Sequence, residues 1–174
     1  MIAETGLLCL RAILPGLTMH TLQRAAIGMT VFLGLAAAPV PSQLPNATVV
    51  VDVPGGHARL RVEIASDNAT RLRGLMYRKQ LDADSGMLFD FHNDGFRNFW
   101  MKNTVLPLDL LFIRSDGTIS SIVANTTPFS ENIISSEEPV RAVLEINAGR
   151  AAALGLKPGE KVHSAVFANM LQGQ

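Results

Sequence analysis

Between Ala47 and Phe167, turn-forming residues cut the chain into eight short apolar or alternating runs, with room for only two small helices between them. The runs are 47–53, 58–64, 86–91, 96–102, 108–113, 118–124, 142–146 and 161–167. Pro54-Gly55-Gly56, Asn93-Asp94-Gly95, Leu106-Pro107, Ser115-Asp116-Gly117 and Lys157-Pro158-Gly159 separate several of them, all with turn chemistry. Repeated helices of ten to fifteen residues between strands, the mark of a parallel βαβ sheet, are missing. The expectation is a mainly β fold, a small antiparallel sandwich or barrel-like domain with two short helices.

Periodicity sharpens that picture. Leu60, Val62 and Ile64 alternate with Arg59, Arg61 and Glu63, so the first two runs read as a hairpin with one wet face. Ser66-Asp67 has N-cap chemistry for a short helix carrying Leu72, Leu75 and Met76 on one face. Tyr77 is expected to pack at that helix's end. Leu108 to Ile113 is apolar on both faces, as in a central strand, apart from Asp109. Ser130 to Pro139 reads as a polar loop, and Asn147 as the cap of an Ala-rich helix that stops at Gly155.

Ahead of the domain, Arg24 precedes an apolar stretch from Ala25 to Leu35 and then Ala36-Ala37-Ala38, the layout of a secretory signal peptide. That stretch is too short for a membrane span of roughly 20 residues, and Pro39, Pro41 and Pro45 stop a helix from continuing. Residues 1–38 are therefore expected to be a leader, with translation starting at Met19, residues 39–46 a linker, and 47–170 a single domain. The product is expected in the periplasm or outside the cell, touching the membrane only transiently through the signal segment. Cys9, the chain's single cysteine, lies in the leader, so the domain has no thiol chemistry. Removing Arg11, Arg24 and Glu4 leaves 13 basic against 14 acidic side chains, a balance that gives no electrostatic footprint for nucleic acid or an anionic membrane.

The sequence has no Gly-x-Ser-x-Gly elbow, no His-Glu-x-x-His pair and no phosphate-cradling loop, and nothing in it requires a cofactor. Asp82-Ala83-Asp84-Ser85-Gly86 starts like a calcium loop but fails at the later ligand positions, so it reads as a solvated turn. The ordered strings Arg71-Leu72-Arg73-Gly74-Leu75-Met76-Tyr77-Arg78, Gly86-Met87-Leu88-Phe89, Phe99-Trp100-Met101-Lys102-Asn103-Thr104 and Pro107-Leu108-Asp109 are more distinctive. With Val143-Leu144-Glu145, Gly149 and Gly155-Leu156-Lys157-Pro158-Gly159, they closely resemble the exported family known as domain of unknown function 192. The resemblance runs from roughly Val53 to Val166. It implies a mainly β fold behind a signal peptide, and no activity.

Candidate site residues come from polar groups in apolar strands. Asp109 shares its run with Leu108, Leu110, Leu111 and Ile113, and Glu145 shares a face with Val143. A buried carboxylate needs a donor or a cation, and Lys102, Asn103, Arg78 and Arg71 are the available partners. A polar cluster of Arg78, Lys102, Asn103, Asp109 and Glu145 beside Trp100 would recognise a small molecule or a protein partner, making the domain a binding module. The alternative is a hydrolase-type enzyme using Asp109 or Glu145. A second alternative is a Cu(I) site built from the thioethers of Met76, Met87 and Met101 with Trp100 and His92, on residues that otherwise fill cores. His57 and His163 show no paired spacing and read as surface or satisfied residues.

Overall fold

The structure, a computed structural model, describes residues 44–172. The expected leader and most of the linker lie outside the described residues. Strands β1 (Asn46–Val53) and β2 (Gly56–Ala65) form the hairpin read from the sequence, with Asp52 opposite His57 and Val49 opposite Leu60. The short helix α1 (Asn68–Arg73) follows. Its capping box is built from Asp67, whose carboxylate accepts from the Thr70 N–H at 2.9 Å. Then come β3 (Ser85–Gly95), the two-residue β4 (Asn98–Phe99), β5 (Leu108–Ile113), β6 (Ile119–Val123) and the two-residue β7 (Ile134–Ser135). The chain ends through β8 (Val140–Asn147), helix α2 (Arg150–Leu154), β9 (Val162–His163) and a 3-10 turn at Ala165–Phe167.

Seven strands form one curled sheet, a half-barrel in the order β6-β5-β8-β3-β2-β1-β9, while β4 and β7 pair in a separate ribbon. The sheet's two edges meet where Thr118 bridges Lys161; the Val162 N–H donates to Gly117 O and the Ile119 N–H to Glu160 O, both at 2.8 Å. The curl thereby ties down edges that would otherwise offer free strand groups.

Several expectations are corrected. The sheet is not wholly antiparallel, because β2 and β3 run parallel. Residues 66–84 between them are long enough for the crossover a parallel pair requires, although the helix in it has only six residues. The run 96–102 is a strand only at Asn98–Phe99. Beyond Phe99 the Met101 N–H donates to Ser130 O, and the backbone then turns through Asn103, at φ +56°, so pairing ends. Ser130–Pro139, read as a loop, supplies β4's partner β7. Helix α1 stops at Gly74, so Leu75 and Met76 lie past it; Leu75 is buried, whereas Leu72 and Tyr77 are exposed. The last run pairs only at Val162–His163 before the 3-10 turn.

Strand parity divides the apolar residues between two clusters. Inside the curl, Val49, Val51, Leu60, Val62, Leu88, Leu111, Ile113, Ile119, Leu144, Ile146 and Val162 pack under Ala151 of α2 and Phe167. On the outer face, Met87, Phe89, Leu108, Leu110, Phe112 and Val143 are covered by Leu75, Met101 and the β4–β7 ribbon. Phe99 pins the ribbon down, meeting Phe89, Phe91 and Phe112 edge-on with ring centroids 5.1, 6.3 and 6.2 Å away. Every residue of β5 is buried, as its double-sided apolarity predicts.

Candidate functional site

The two carboxyl groups of the expected polar cluster do not converge. Along β5, Asp109 alternates with Leu108 and Leu110 and faces the inner side with Leu111 and Ile113; along β8, Glu145 faces the outer side with Val143. The two acids point to opposite sides of the same sheet, so no substrate can bridge them.

Asp109 is fully buried and has the donors that a buried carboxylate needs, but they are backbone N–H groups and not the side chains of Lys102, Asn103, Arg78 or Arg71. Its Oδ1 accepts from Asn125 N at 2.8 Å and Gly149 N at 3.1 Å, and its Oδ2 accepts from Ala151 N at 2.9 Å. This carboxylate satisfies the first turn of α2 from outside the helix. It replaces Asn147 as the cap, because Gly149 occupies the N-cap position in a left-handed conformation, φ +79°, that suits glycine. Asn147 instead donates to the carbonyls of Leu81 and Asp82 at 3.2 and 2.9 Å.

Glu145 lies on the other face, only 5% exposed, with Met87 opposite it on β3 and Leu110 opposite it on β5. No hydrogen bond or ion pair reaches its carboxyl among the described residues. Burial alone pushes the group up to about 8, so at neutral pH it is a carboxylic acid with an O–H to give. The carboxyl oxygens keep some contact with solvent, so the O–H is open to an acceptor that enters from outside the fold.

The carboxyl forms part of the wall of a cleft of about 720 Å³ between α1 with the loop after it and the β4–β7 ribbon. Phe89, Phe91, Phe99, Leu75 and Met76 give it apolar walls, and Leu72, Trp100 and Ile133 stand exposed at its mouth. Two guanidiniums lie over the Phe91 ring, Arg71 at 5.1 Å and Arg97 at 4.2 Å from its centroid. Both are held by neutral acceptors. Arg71 donates to Ser66 O and Asp90 O, at 2.6 and 2.8 Å, and to Asn68 Oδ1; Arg97 donates to Val140 O at 3.2 Å and to Asn93. Burial and the nearby Arg71 charge pull Arg97 below its ordinary value, a strain that an anion between them would relieve.

Of the six candidate ligand residues, Trp100 and Glu145 line this cleft and four do not. Arg78 grips Glu63 with both Nη atoms at 2.5 Å, a bidentate pair that holds its guanidinium above the usual value. Lys102 pairs with Glu131 at 3.3 Å and lies 5.2 Å from the Trp100 ring. Asn103 donates weakly to Met76 Sδ at 4.0 Å, and Asp109 is across the sheet. Met87 and Met101, proposed with Met76 as copper ligands, are wholly buried in the outer apolar cluster, where they act as filling; Met76 alone reaches the cleft. Arg97 and Phe91 were not among the candidate site residues, although both lie in runs read as strands, and Arg97 stands in the cationic, aromatic string from Phe96 to Lys102. The calcium-like loop is a surface turn whose Asp82 and Asp84 pair with Arg61 and Arg150. Also missed was Asp52, whose Oδ1 contacts both His57 Nδ1 and His163 Nε2, at 3.0 and 2.9 Å.

A curled β sheet carrying an aromatic cleft with two neighbouring guanidiniums and a neutral acid defines a small β domain with a formed cleft on its outer face. The chain belongs to the family of domain of unknown function 192, described as an uncharacterized ACR, whose model matches residues 49–164. Among solved structures it is similar to a Sinorhizobium meliloti protein described as a candidate transcription regulator. The two are 48% identical with a TM-score of 0.70, covering 71% of this chain and 97% of that one. It is also similar to a protein of unknown function from Novosphingobium aromaticivorans, 41% identical with a TM-score of 0.69, covering 74% of this chain and 94% of that one. No curated protein matches the chain. No helix among the described residues is long and apolar enough to cross a membrane.

Proposed function

We propose that this domain is an exported binding module whose cleft takes a small amphiphilic anion. The observation that carries the reading is the combination of two unpaired guanidiniums on Phe91 with an unpartnered neutral carboxyl, on the walls of one apolar cleft. An anionic head between Arg71 and Arg97 gains charge-assisted hydrogen bonds. An apolar body lies along the phenylalanines, and a hydroxyl or carbonyl elsewhere on the ligand accepts the Glu145 O–H. The volume falls in the range of sites for small molecules, roughly 300–1,000 Å³.

Trp100 is the chain's single tryptophan and stands 42% exposed at the mouth, so its emission reports occupancy without a label. Titrations with dodecanoate and with its ω-hydroxy derivative test the reading. The expected result is saturable quenching or a blue shift by both, with tighter binding of the ω-hydroxy compound. Arg97→Gln weakens both ligands, and Glu145→Leu abolishes only the preference between them. An emission that does not respond, or affinities indifferent to Arg97, would overturn it. Export is tested separately by the mass of the mature protein, whose first residue is expected between Ala37 and Leu44.

A further inference from the structure

The segments that build the cleft mouth are unlike the rest of the surface. Among the described residues, Leu72, Tyr77, Phe96, Trp100, Val105, Phe129, Ile133 and Met170 are the exposed large apolar side chains, and all but Met170 fall within 71–79, 96–105 or 129–135. The same segments hold six cations, Arg71, Arg73, Arg78, Lys79, Arg97 and Lys102, against one acid, Glu131. Over the whole sequence the two signs balance, 15 against 15, so this is a concentration of charge and not a basic protein. Glu63 neutralises Arg78, and Glu131 neutralises Lys102. Arg71, Arg73, Lys79 and Arg97 make no ion pair among the described residues, although the charge of Asp94 reaches Arg97.

Two of the exposed aromatics are also held against their own backbone preference. Tyr77, 69% exposed, has φ +65°, and Phe129, 61% exposed, has φ +61°, a region that bulky side chains rarely adopt. Both are clamped to one turn: the Tyr77 N–H donates to Asn103 O at 2.9 Å and the Phe129 N–H to Thr104 O at 3.1 Å. Thr104 and Met76 line the cleft, so the backbone of Tyr77 and Phe129 runs beside it, although neither ring is part of its wall. Neither ring gains burial from this conformation. A strained backbone that buries nothing motivates a functional reading of the two rings.

We propose that this face docks on an anionic lipid bilayer, with Tyr77, Trp100, Phe129 and Ile133 entering the headgroup–acyl boundary and Arg73 and Lys79 meeting lipid phosphates. The occupant follows from charge complementarity: exposed aromatic and aliphatic tips on segments that also carry unpaired cations match a boundary that is apolar beneath and anionic above. The inference rests on the amphiphile reading of the cleft, whose ligand such docking would draw from the membrane.

The solved Sinorhizobium relative is matched over 97% of its length by 71% of this chain, and the protein to test is the exported form beginning between Ala37 and Leu44. Sedimentation with vesicles of phosphatidylcholine alone and of an equal mixture with phosphatidylglycerol measures docking. The domain is expected to pellet with the mixed vesicles and stay in solution with the neutral ones. Lys79→Glu should weaken vesicle binding more than roughly fivefold, since one charge near such a surface is worth about that factor and here its sign is reversed. Phe129→Gly should weaken it too while its melting midpoint holds or rises, because glycine is at ease at that φ. Neither residue lines the cleft, so both variants should keep the dodecanoate response of Trp100.

Equal pelleting with both vesicle types, no pelleting, or variants that pellet like the wild type would each overturn the docking. So would a dimer in solution that Phe129→Gly dissociates, which would assign the face to a second copy. A domain that binds dodecanoate but not vesicles leaves the cleft reading standing alone; one that binds vesicles but not dodecanoate removes that reading and keeps the docking.

Discussion

Replacing Asp109 with alanine removes the acceptor of three backbone N–H groups at once. The Ala151 N–H is buried and has no water to turn to, so its loss costs about 1–3 kcal/mol. The Asn125 and Gly149 N–H groups are half-buried, and exchanging a carboxylate for water costs each about 0.5–1.5 kcal/mol. A total near 4 kcal/mol, at roughly 3–5 °C per kcal/mol for a domain of this size, is a fall in midpoint of about 10–20 °C. Differential scanning calorimetry of the domain reads it directly. Lys102→Met serves as the contrast. Were Asp109 held by that cation, the two variants would be similarly damaged. Lys102 lies in an exposed pair with Glu131 instead, so its loss should cost about 1 kcal/mol or less. A shift under about 4 °C for Asp109→Ala, or matching losses in both variants, would refute the account of α2's attachment.

Glu145 predicts a pH dependence of stability. Its carboxyl is raised from 4.5 to about 8, so the folded chain holds the proton more tightly than the unfolded one. That contribution is complete below about pH 4.5 and is lost as pH rises through about 8, a swing of about 5 kcal/mol. Glu145→Gln, neutral at every pH, should match the wild type near pH 5 and exceed its midpoint by about 10 °C or more near pH 9; parallel curves would contradict the reading. Gly86→Ala should be among the most damaging small substitutions, because a Cβ there would lie 2.4 Å from the Glu145 carbonyl oxygen and force β3 from β8. A loss of about 3 kcal/mol or more is expected in chemical denaturation, and one under about 1 kcal/mol would show that the strands can part cheaply.

Much of this fold was legible because burial leaves a pattern in residue type. The β1–β2 hairpin follows from the alternation around Leu60 and the turn at Gly55-Gly56, and β5's central place from its two apolar faces. The segment after Phe96 misled because Phe99 and Met101 alternate inward like strand residues, while the backbone between them bonds to residues 130–136 and not to the main sheet. The parallel β2–β3 pair was hidden because the short helix between them, legible from its Asp67 cap, has only six residues, far fewer than the ten to fifteen that mark a βαβ crossover. For Asp109 the burial was legible but the partners were not, since backbone N–H groups carry no signature in side-chain identity. The Asp52–His57 contact could have been found from hairpin register; His163 comes from the far end of the chain and could not. Net charge hid the cleft most effectively, because a balanced total says nothing about which face holds the cations.

The claim at the centre of this account is that a neutral carboxyl of Glu145 waits in the cleft for an acceptor on a bound amphiphile. Labelling the glutamate side chains with carbon-13 and following the Glu145 carboxyl shift against pH tests it at the atom concerned, with Glu145→Gln assigning the resonance. The account predicts a titration midpoint near 8 in the free domain, moving upward when ω-hydroxydodecanoate binds, since the ligand takes the protonated form. A midpoint in the ordinary carboxylate range, unmoved by the ligand, would contradict it.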